Sequence, residues 1–242
     1  MRRWWARGSG ESPGGAPPDD GSPVGRRVVL GLFGLGALGV VTGTRAQDAV
    51  SSFLAPVQLR DPTGLSSLVP LGNTFRYYSV TGPVEAQDAT TYRLTVSGDV
   101  ARPASWTLAD LQALPQVAIT RDFHCVTGWH VSDVPWTGVR LADLLDRAAP
   151  TAEAAAVRFR SFDGTYTENM TLDQARADDV IVALTMYGRP VTHDHGGPVR
   201  IYAASMYGYK STKWLSEIEV VPRNVPGYWE VRGYPLDGYI GE

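Results

Sequence analysis

The sequence predicts a single α+β domain in which short strands outnumber short helices. Runs of β-branched and apolar residues are more frequent along the chain than runs with helical spacing. No internal repeat is visible. The chain has 242 residues, and the part that follows an N-terminal leader is long enough to bury one sizeable core. These observations favour one mixed, strand-rich domain.

The first 46 residues are typical of an export leader. Residues 1 to about 25 are rich in Gly, Pro, Ser and Arg, so we expect them to be disordered. Arg26-Arg27 directly precede a glycine-diluted apolar run of about fourteen residues, a pattern typical of twin-arginine export. An uncleaved membrane anchor is the alternative, since Thr44-Arg45-Ala46 is only a fair cleavage site. In both cases we expect the domain to be periplasmic or otherwise extracytoplasmic.

Charge and cysteine content narrow the function. Residues 47–71 are spaced by prolines and predict a linker or arm, which leaves 72–242 as the domain. The leader holds six of the 22 basic and three of the 25 acidic residues, so the remainder has a formal charge of −6. An acidic domain is a poor binder of nucleic acid. One cysteine excludes an internal disulfide, and no nucleotide-binding motif is present.

Four elements are predicted in the first half of the domain. Tyr92–Ser97 alternates as a strand does, and Thr107 can cap a short helix that Pro115 stops. Val117–Thr120 is a second strand. Val139–Ala148 places its leucines on one face and predicts a helix.

The second half of the domain is predicted to hold more strands than helices. Asp163-Gly164 is a turn signal after the strand Val157–Ser161, and Thr171–Gln174 starts a small helix. The remaining predicted strands are Val180–Met186, Val199–Ala203 and Trp214–Val221.

Cys125 lies in the first stretch whose residue types suggest chemistry. It follows a strand, and Gly128 and Pro135 are expected to break regular structure after it, which places the thiol in a loop. A lone cysteine is commonly a small buried hydrophobe. Aromatic and polar residues nevertheless alternate around it, and such a mixture suits a pocket. These neighbours are Arg121, Asp122, Phe123, His124, Trp129, His130 and Trp136.

A glycine-rich block supplies positive charge. His193-Asp-His195-Gly-Gly-Pro-Val-Arg200 is followed by Tyr207–Leu215, which contains Lys210 and Lys213. Guanidinium, ammonium and exposed backbone N–H groups are the donors that hold a phosphate. The alternative is a glycine-rich turn whose basic residues are only solvated.

Three motifs together resemble a known family. They are Cys125–His130 followed by Val134–Gly138, His195–Arg200, and Ser211–Leu215. This arrangement resembles the molybdopterin domain of the sulfite oxidase family, which includes periplasmic methionine-sulfoxide reductase catalytic subunits. The resemblance runs from about Asn73 to Tyr234, and it implies the sulfite oxidase type of molybdopterin-binding fold.

The resemblance also implies roles for individual residues. Cys125 matches the thiolate ligand of molybdenum, and a soft thiolate suits that metal. Arg232 and Tyr234 match the substrate pocket, and His130 or Tyr234 could steer protons. His195 is similar to the sulfite oxidase branch, where the reductase branch has Asn. The positions matching cofactor contacts are Asn73, Arg76, Tyr77, Cys125, Ser161, His195, Arg200, Ser211, Thr212 and Lys213.

The activity implied by this resemblance is two-electron oxygen-atom transfer on a sulfur compound, as sulfoxide reduction or sulfite oxidation, with a molybdenum–molybdopterin cofactor. The chain shows no haem-binding domain, so we expect a separate redox partner such as a membrane haem protein. The further dimerisation domain of animal and plant sulfite oxidases is also not seen, which suggests a monomer.

Two other classes of protein remain open at this stage. Cys125, His130, His193 and His195 could ligate copper or zinc in an exported electron-transfer protein. The chain could also be a metal-free binding module with the same fold.

Overall fold

The computed structural model describes Phe75 and residues 79–241. The predicted leader and linker lie outside the described residues, as do Asn73, Arg76 and Tyr77. Within that part, strands dominate and the helices are short, which confirms the predicted α+β class.

Ten strands and three α-helices form the described part of the chain. The strands are β1 (Arg93–Gly98), β2 (Ala104–Thr107), β3 (Val117–His124), β4 (His130–Arg140), β5 (Ala156–Ser161), β6 (Thr167–Thr171), β7 (Val180–Met186), β8 (Arg189–Pro190), β9 (Arg200–Ala203) and β10 (Leu215–Val221). The helices are α1 (Leu108–Ala113), α2 (Leu141–Ala148) and α3 (Leu172–Ala175), with 3₁₀ turns at Gly208–Lys210 and Glu230–Arg232.

Two sheets organise the domain. The first has the order β2-β1-β10-β5-β6, in which only β1 and β10 are parallel and Thr95 lies opposite Glu217. The second has the order β3-β4-β7-β8, and β9 also pairs with β7. β7 is buried almost throughout, because it is flanked on both sides. The sequence of β7 is accordingly a continuous apolar run rather than an alternating one.

α1 and α3 begin where the sequence predicts, whereas α2 begins two residues later than predicted, because Val139 and Arg140 belong to β4. Thr107 and Asp110 form a reciprocal capping box at the start of α1, with Thr107 Oγ1 accepting from Asp110 N at 2.9 Å. Thr171 caps α3 in the same way. Three leucines and Ala148 of α2 face the core and are fully buried, so this helix is held by packing.

The strand β4 was not predicted from the sequence. Pro135 was expected to break regular structure, and this expectation is wrong because β4 continues through it. Asp133 adopts a φ of 53° beside an irregularity in the β3–β4 register, and its N–H donates to Asp122 Oδ1 at 2.9 Å. The carbonyl of Pro135 still accepts from Tyr187 N at 2.9 Å. This irregularity accommodates a proline inside the strand.

Two clusters of buried side chains form the core. The larger includes side chains of both sheets and of the helices, among them Leu94, Phe159 and Val182. The smaller is aromatic, with Trp136 stacked on Tyr202 at 4.8 Å, and Cys125 packs against its edge. The smaller cluster therefore supports the loop that carries the thiol. Across the described residues, no helix is both long and apolar enough to cross a membrane.

Candidate active site

A cavity of about 560 Å³ lies where several segments converge. They include the β3–β4 loop with Cys125, the β5–β6 turn with Asp163 and Tyr166, the glycine-rich turn with His195, the 3₁₀ turn Gly208–Lys210, and residues 222–241, which follow β10. The two motif regions are more than 60 residues apart in sequence, and the fold brings them to one cavity.

The β3–β4 hairpin presents the thiol of Cys125 to this cavity. Cys125 N donates to Trp129 O at 2.8 Å, and Gly128 N donates to Cys125 O at 3.0 Å, so the loop is closed on both sides of the residue. Gly128 has a φ of 91°, a left-handed conformation that favours glycine. The sulfur is half-buried and lies 3.2 Å from Thr127 Oγ1. The predicted placement of the thiol in a loop at the end of a strand is confirmed.

Arg200 is a buried cation that lines the same cavity. Its side chain is 3% exposed, and its guanidinium donates to the carbonyls of His195 at 2.7 Å and Ser211 at 2.9 Å. The guanidinium also lies 5.3 Å from the Trp136 ring centroid. No salt bridge from Arg200 to a carboxylate occurs among the described residues. Burial lowers the pKa of Arg200 to about 10.

Two further basic groups crowd Arg200. Burial, followed by the charge of Arg200, lowers the pKa of Lys213 to about 7. The same two causes lower the pKa of His195. Asp163 and Asp194 also line the cavity and act in the opposite direction on Lys213. Positive charges on these three basic groups repel one another. A bound anion would reduce this repulsion.

Glycines in the two motif regions allow the backbones to approach closely. A Cβ at Gly196 would lie 2.5 Å from Lys213 Cβ, and one at Gly208 would lie 2.4 Å from Phe123 Cζ. Gly196 O also accepts from Trp214 N at 2.8 Å, which ties the glycine-rich turn to β10. Any larger residue at these two positions would displace side chains that line the cavity.

Five aromatic side chains, which we call the aromatic wall, close another part of the cavity. Neighbouring pairs are Tyr166–Tyr228 at 5.7 Å, Tyr228–Trp229 at 5.3 Å, Trp229–Tyr234 at 5.1 Å and Tyr209–Tyr234 at 5.3 Å between ring centroids. Tyr166 OH donates to Tyr209 O at 2.5 Å and so links the first and last residues of this series of rings. Burial, followed by the charge of Cys125, raises the pKa of Tyr234, and both residues line the cavity.

Six of the predicted site residues line the cavity together. They are Cys125, His195, Arg200, Ser211, Lys213 and Tyr234. The other described ones lie behind or outside it. Ser161 Oγ accepts from Asp163 N at 3.1 Å, and Thr212 is fully buried with no hydrogen-bond partner for Oγ1 in the described part. Ser161 therefore supports a turn that reaches the cavity without lining it.

Arg232 and His130 do not line the cavity. Arg232 is exposed, and its guanidinium carbon lies 3.7 Å from the centroid of Tyr228, on the solvent side of the aromatic wall. His130 is 7% exposed and stacks on His124 at 5.3 Å. Their assigned catalytic roles remain predictions.

The structure contradicts two sequence-based interpretations. His193 Nε2 lies 2.8 Å from Val84 O and does not line the cavity, and no group of three or more His, Cys, Asp or Glu among the described residues could hold a metal. Cys125, His130, His193 and His195 therefore do not form the copper or zinc site considered as an alternative. Lys210 was grouped with the phosphate-binding bases, but it is fully buried among carboxylates.

Sequence reasoning missed most of the aromatic wall. Tyr166, Tyr209 and Tyr228 come from three separate segments, and only the local clustering of aromatics in Tyr207–Tyr209 and Tyr228-Trp229 could have suggested them.

The family profile of the oxidoreductase molybdopterin binding domain matches residues 81–229. The chain belongs to this family. It is therefore an oxidoreductase whose cofactor is molybdopterin, as the motifs predicted.

Relatives and a solved structure agree with this assignment. The chain is 37% identical over 152 residues to the uncharacterized oxidoreductase YuiH of Bacillus subtilis, covering 63% of this chain and 76% of the relative. It is 31% identical over 230 residues to the putative protein-methionine-sulfoxide reductase subunit YedZ1 of Azospira oryzae, covering 88% and 86%. The sulfane dehydrogenase SoxCD of Paracoccus pantotrophus superposes with a TM-score of 0.55 at 18% identity, covering 64% of this chain and 46% of that one. At that identity the likeness supports the predicted fold.

The residues present fit the cofactor. Three features lie around one cavity. They are a half-buried thiol, a buried guanidinium without a carboxylate partner among the described residues, and glycines that admit no Cβ. These features fit a molybdenum-bearing pterin with a phosphate, since a thiolate is a soft ligand for the metal and a guanidinium donates to a phosphate.

Proposed function

We propose that this chain catalyses two-electron oxygen-atom transfer on sulfur, as a sulfoxide reductase. The observation that carries the choice of sulfoxide is the aromatic wall, which offers an uncharged and polarisable surface next to the thiol. When bound, the molybdenum–molybdopterin cofactor supplies the two-electron oxygen-atom chemistry. The metal-free binding module considered at the outset has no support from the chain's family.

Cys125 supplies the protein ligand of the metal in this proposal. Its thiolate is a soft donor suited to molybdenum, and the hydrogen-bonded loop fixes its direction. The basic group of His195, Arg200 and Lys213, with Ser211, holds the pterin and its phosphate. Thr212 and Ser161 support these positions from behind, and Asn73, Arg76 and Tyr77 complete the predicted contact set.

The aromatic wall favours a neutral substrate over sulfite. Sulfite carries charge in water, and its desolvation in a pocket requires cationic partners. The basic side chains that line the cavity are those assigned to the pterin, while Arg232 lies outside on Tyr228. A sulfoxide is uncharged, and its sulfur and alkyl groups make favourable contacts with aromatic rings.

Tyr234 would orient the substrate oxygen. Its phenol is held protonated by burial and by the charge of Cys125, so it can donate a hydrogen bond. Donation to the sulfoxide oxygen would polarise the S–O bond at the face that meets the metal. His130 lies outside the cavity lining, and a proton role for it would require a relay.

We propose that the domain acts outside the cytoplasm and receives electrons from a separate partner. The Arg26-Arg27 pattern supports export, and one relative is named as a subunit, which supports a multi-component system. A membrane haem protein would be a suitable donor. The chain would act as a monomer towards its substrate.

The test begins with full-length protein purified from a host that makes molybdopterin. Molybdenum per chain is measured by mass spectrometry, and turnover is followed with a reduced viologen dye against methionine sulfoxide and dimethyl sulfoxide. Sulfite oxidation is followed in parallel with ferricyanide. We expect sulfoxide reduction and no sulfite oxidation; the reverse pattern would refute the proposed substrate class.

Cys125→Ser tests the assigned ligand. We expect it to fold, to retain pterin in part and to lose turnover. Tyr187→Asn is a matched control, because Tyr187 is half exposed, at 50%, and does not line the cavity. Full activity in the Cys125→Ser protein would refute the thiolate assignment.

A further inference from the structure

Lys210 is a fully buried cation directly behind residues that line the cavity. It is the last residue of the 3₁₀ turn Gly208–Lys210. Gly208 and Tyr209 of this turn, and Ser211 directly after it, line the cavity. Its own side chain points away from the cavity lining and is 0% exposed. A lysine is almost never fully buried unless it is paired, so a specific set of partners must hold it.

The ammonium of Lys210 joins three segments. Nζ donates to Glu168 Oε1 at 2.8 Å and Asn169 O at 2.7 Å on β6. It also donates to Glu230 Oε1 at 2.5 Å and Leu236 O at 2.8 Å in segment 222–241. Three N–H groups thus meet four acceptors, and two of these belong to the segment that carries Trp229 and Tyr234.

The charges at this site balance when one carboxyl holds a proton. Glu168 and Glu230 are both buried beside one ammonium. Burial and the neighbouring Glu230 carboxyl raise the pKa of Glu168 well above its ordinary range. One proton held by this carboxyl pair, beside the Lys210 ammonium, makes the site neutral overall.

Glu230 extends this set towards the aromatic wall. Its Oε2 accepts a hydrogen bond from Gly227 N, directly before Tyr228 and Trp229. A Cβ at Gly227 would lie 2.6 Å from Thr167 O, so this backbone is pressed against β6. Tyr209, the neighbour of Lys210, donates from its phenol to Pro235 O at 2.6 Å, one residue after Tyr234.

We propose that Lys210 is a positioning residue that fixes segment 222–241 over the cofactor cavity, and thereby sets the place of Trp229 and Tyr234 in substrate binding. The part of this inference that concerns substrate rests on the proposed sulfoxide reduction. The part that concerns the segment does not.

The test is hydrogen exchange followed by mass spectrometry on full-length protein, comparing wild type with Lys210→Met. Loss of one partner of a buried ion cluster favours local opening. We expect amide exchange in residues 225–240 to accelerate by at least about tenfold, with β1 and β10 changed by less than about twofold. Trypsin cleavage after the exposed Arg223 and Arg232 should accelerate in parallel.

Two variants separate this role from a general effect of mutation. Glu168→Gln keeps the neutral charge set and should leave exchange in 225–240 within about twofold of wild type. Arg160→Met is a matched control, since it removes a basic residue whose partners Glu217 and Glu219 lie on the partly exposed face of the first sheet. If Lys210→Met fails to fold, Glu230→Gln replaces it, because that change removes the carboxyl that links Lys210 to segment 222–241.

Kinetics add a readout that a purely structural role would not move. With a sulfoxide substrate, Lys210→Met should raise KM by about tenfold and change kcat by less than about threefold, at unchanged molybdenum content. Unchanged exchange in 225–240 for both Lys210→Met and Glu230→Gln would overturn the positioning role. If Lys210→Met exchanges faster in this segment but the wild-type protein reduces no sulfoxide, the positioning role would be supported and the proposed substrate refuted.

Discussion

Replacing Lys213 by Met should change the stability of the cofactor-free protein and its cofactor retention in opposite directions. The ammonium of Lys213 is mostly buried and close to the charge of Arg200. Both effects lower its pKa from 10.5 to about 7. In the folded protein without an anion, this charge is therefore a cost that the unfolded chain does not bear. With the pterin phosphate bound, the same charge becomes a contact.

The size and pH range of the effect follow from the shift. A folded pKa below the unfolded one means that the unfolded chain holds more protons between pH 7 and pH 10.5, so the stability contributed by Lys213 rises over that range. At about 1.4 kcal/mol per unit the full shift would amount to about 5 kcal/mol. Discounting for partial solvent contact, and for the cation–π contact with Trp214 at 4.3 Å, leaves about 2 kcal/mol.

Urea unfolding of protein made without molybdopterin measures this difference. At pH 6 we expect Lys213→Met to be more stable than wild type by about 2 kcal/mol, with the gap closing as the pH rises towards 9. Protein made with molybdopterin should retain less pterin and molybdenum in the variant. A cofactor-free variant that is less stable than wild type at pH 6 would refute the idea that Lys213 is held at a cost for an anion.

Three further substitutions test the cavity and the fold. Tyr234→Phe keeps the stack on Trp229 but removes the hydroxyl, so kcat for a sulfoxide should fall by about tenfold with little change in KM; an unchanged kcat would remove the hydroxyl from the reaction. Gly208→Ala places a Cβ 2.4 Å from Phe123 Cζ and should lower the molybdenum content, and full occupancy would contradict the tight approach. Thr107→Ala should cost about 1 kcal/mol in urea unfolding without affecting activity, since it removes only a helix cap.

Local patterns predicted the elements well where a short-range interaction determines them. The Thr107 capping box and the turn at Asp163-Gly164, where Asp163 Oδ1 accepts from Thr165 N and Tyr166 N at 2.8 Å, can be read from a few neighbouring residues. The expectation that Pro135 ends regular structure was wrong because no short-range interaction decides it. Its tolerance depends on the unusual conformation of Asp133 and on pairing with β3, neither of which the local sequence states.

The site was predictable as far as motifs reach. Cys125 and Arg200 lie in runs whose residue types carry the resemblance, and both line the cavity. Lys210 lies in the same kind of run, yet its direction depends on Glu168 and Glu230, which are 42 and 20 residues away. A basic residue in a motif can face a ligand or a buried carboxylate, and only the packing of distant segments distinguishes the two.

The parallel pairing of β1 with β10 has a consequence for the order in which this protein is assembled. Thr95 and Glu217 are neighbours in the sheet although 122 residues separate them. At translation rates of about 5–20 residues per second, β1 waits roughly 6–24 s for its partner to be synthesised. During that time one edge of β1 is unpaired, and its apolar residues Leu94 and Val96 have not yet reached their buried positions. Such a strand is a site for chaperone binding or aggregation. Three members of the aromatic wall, Tyr228, Trp229 and Tyr234, are made later still, so the cavity is complete only when translation of the domain is nearly finished.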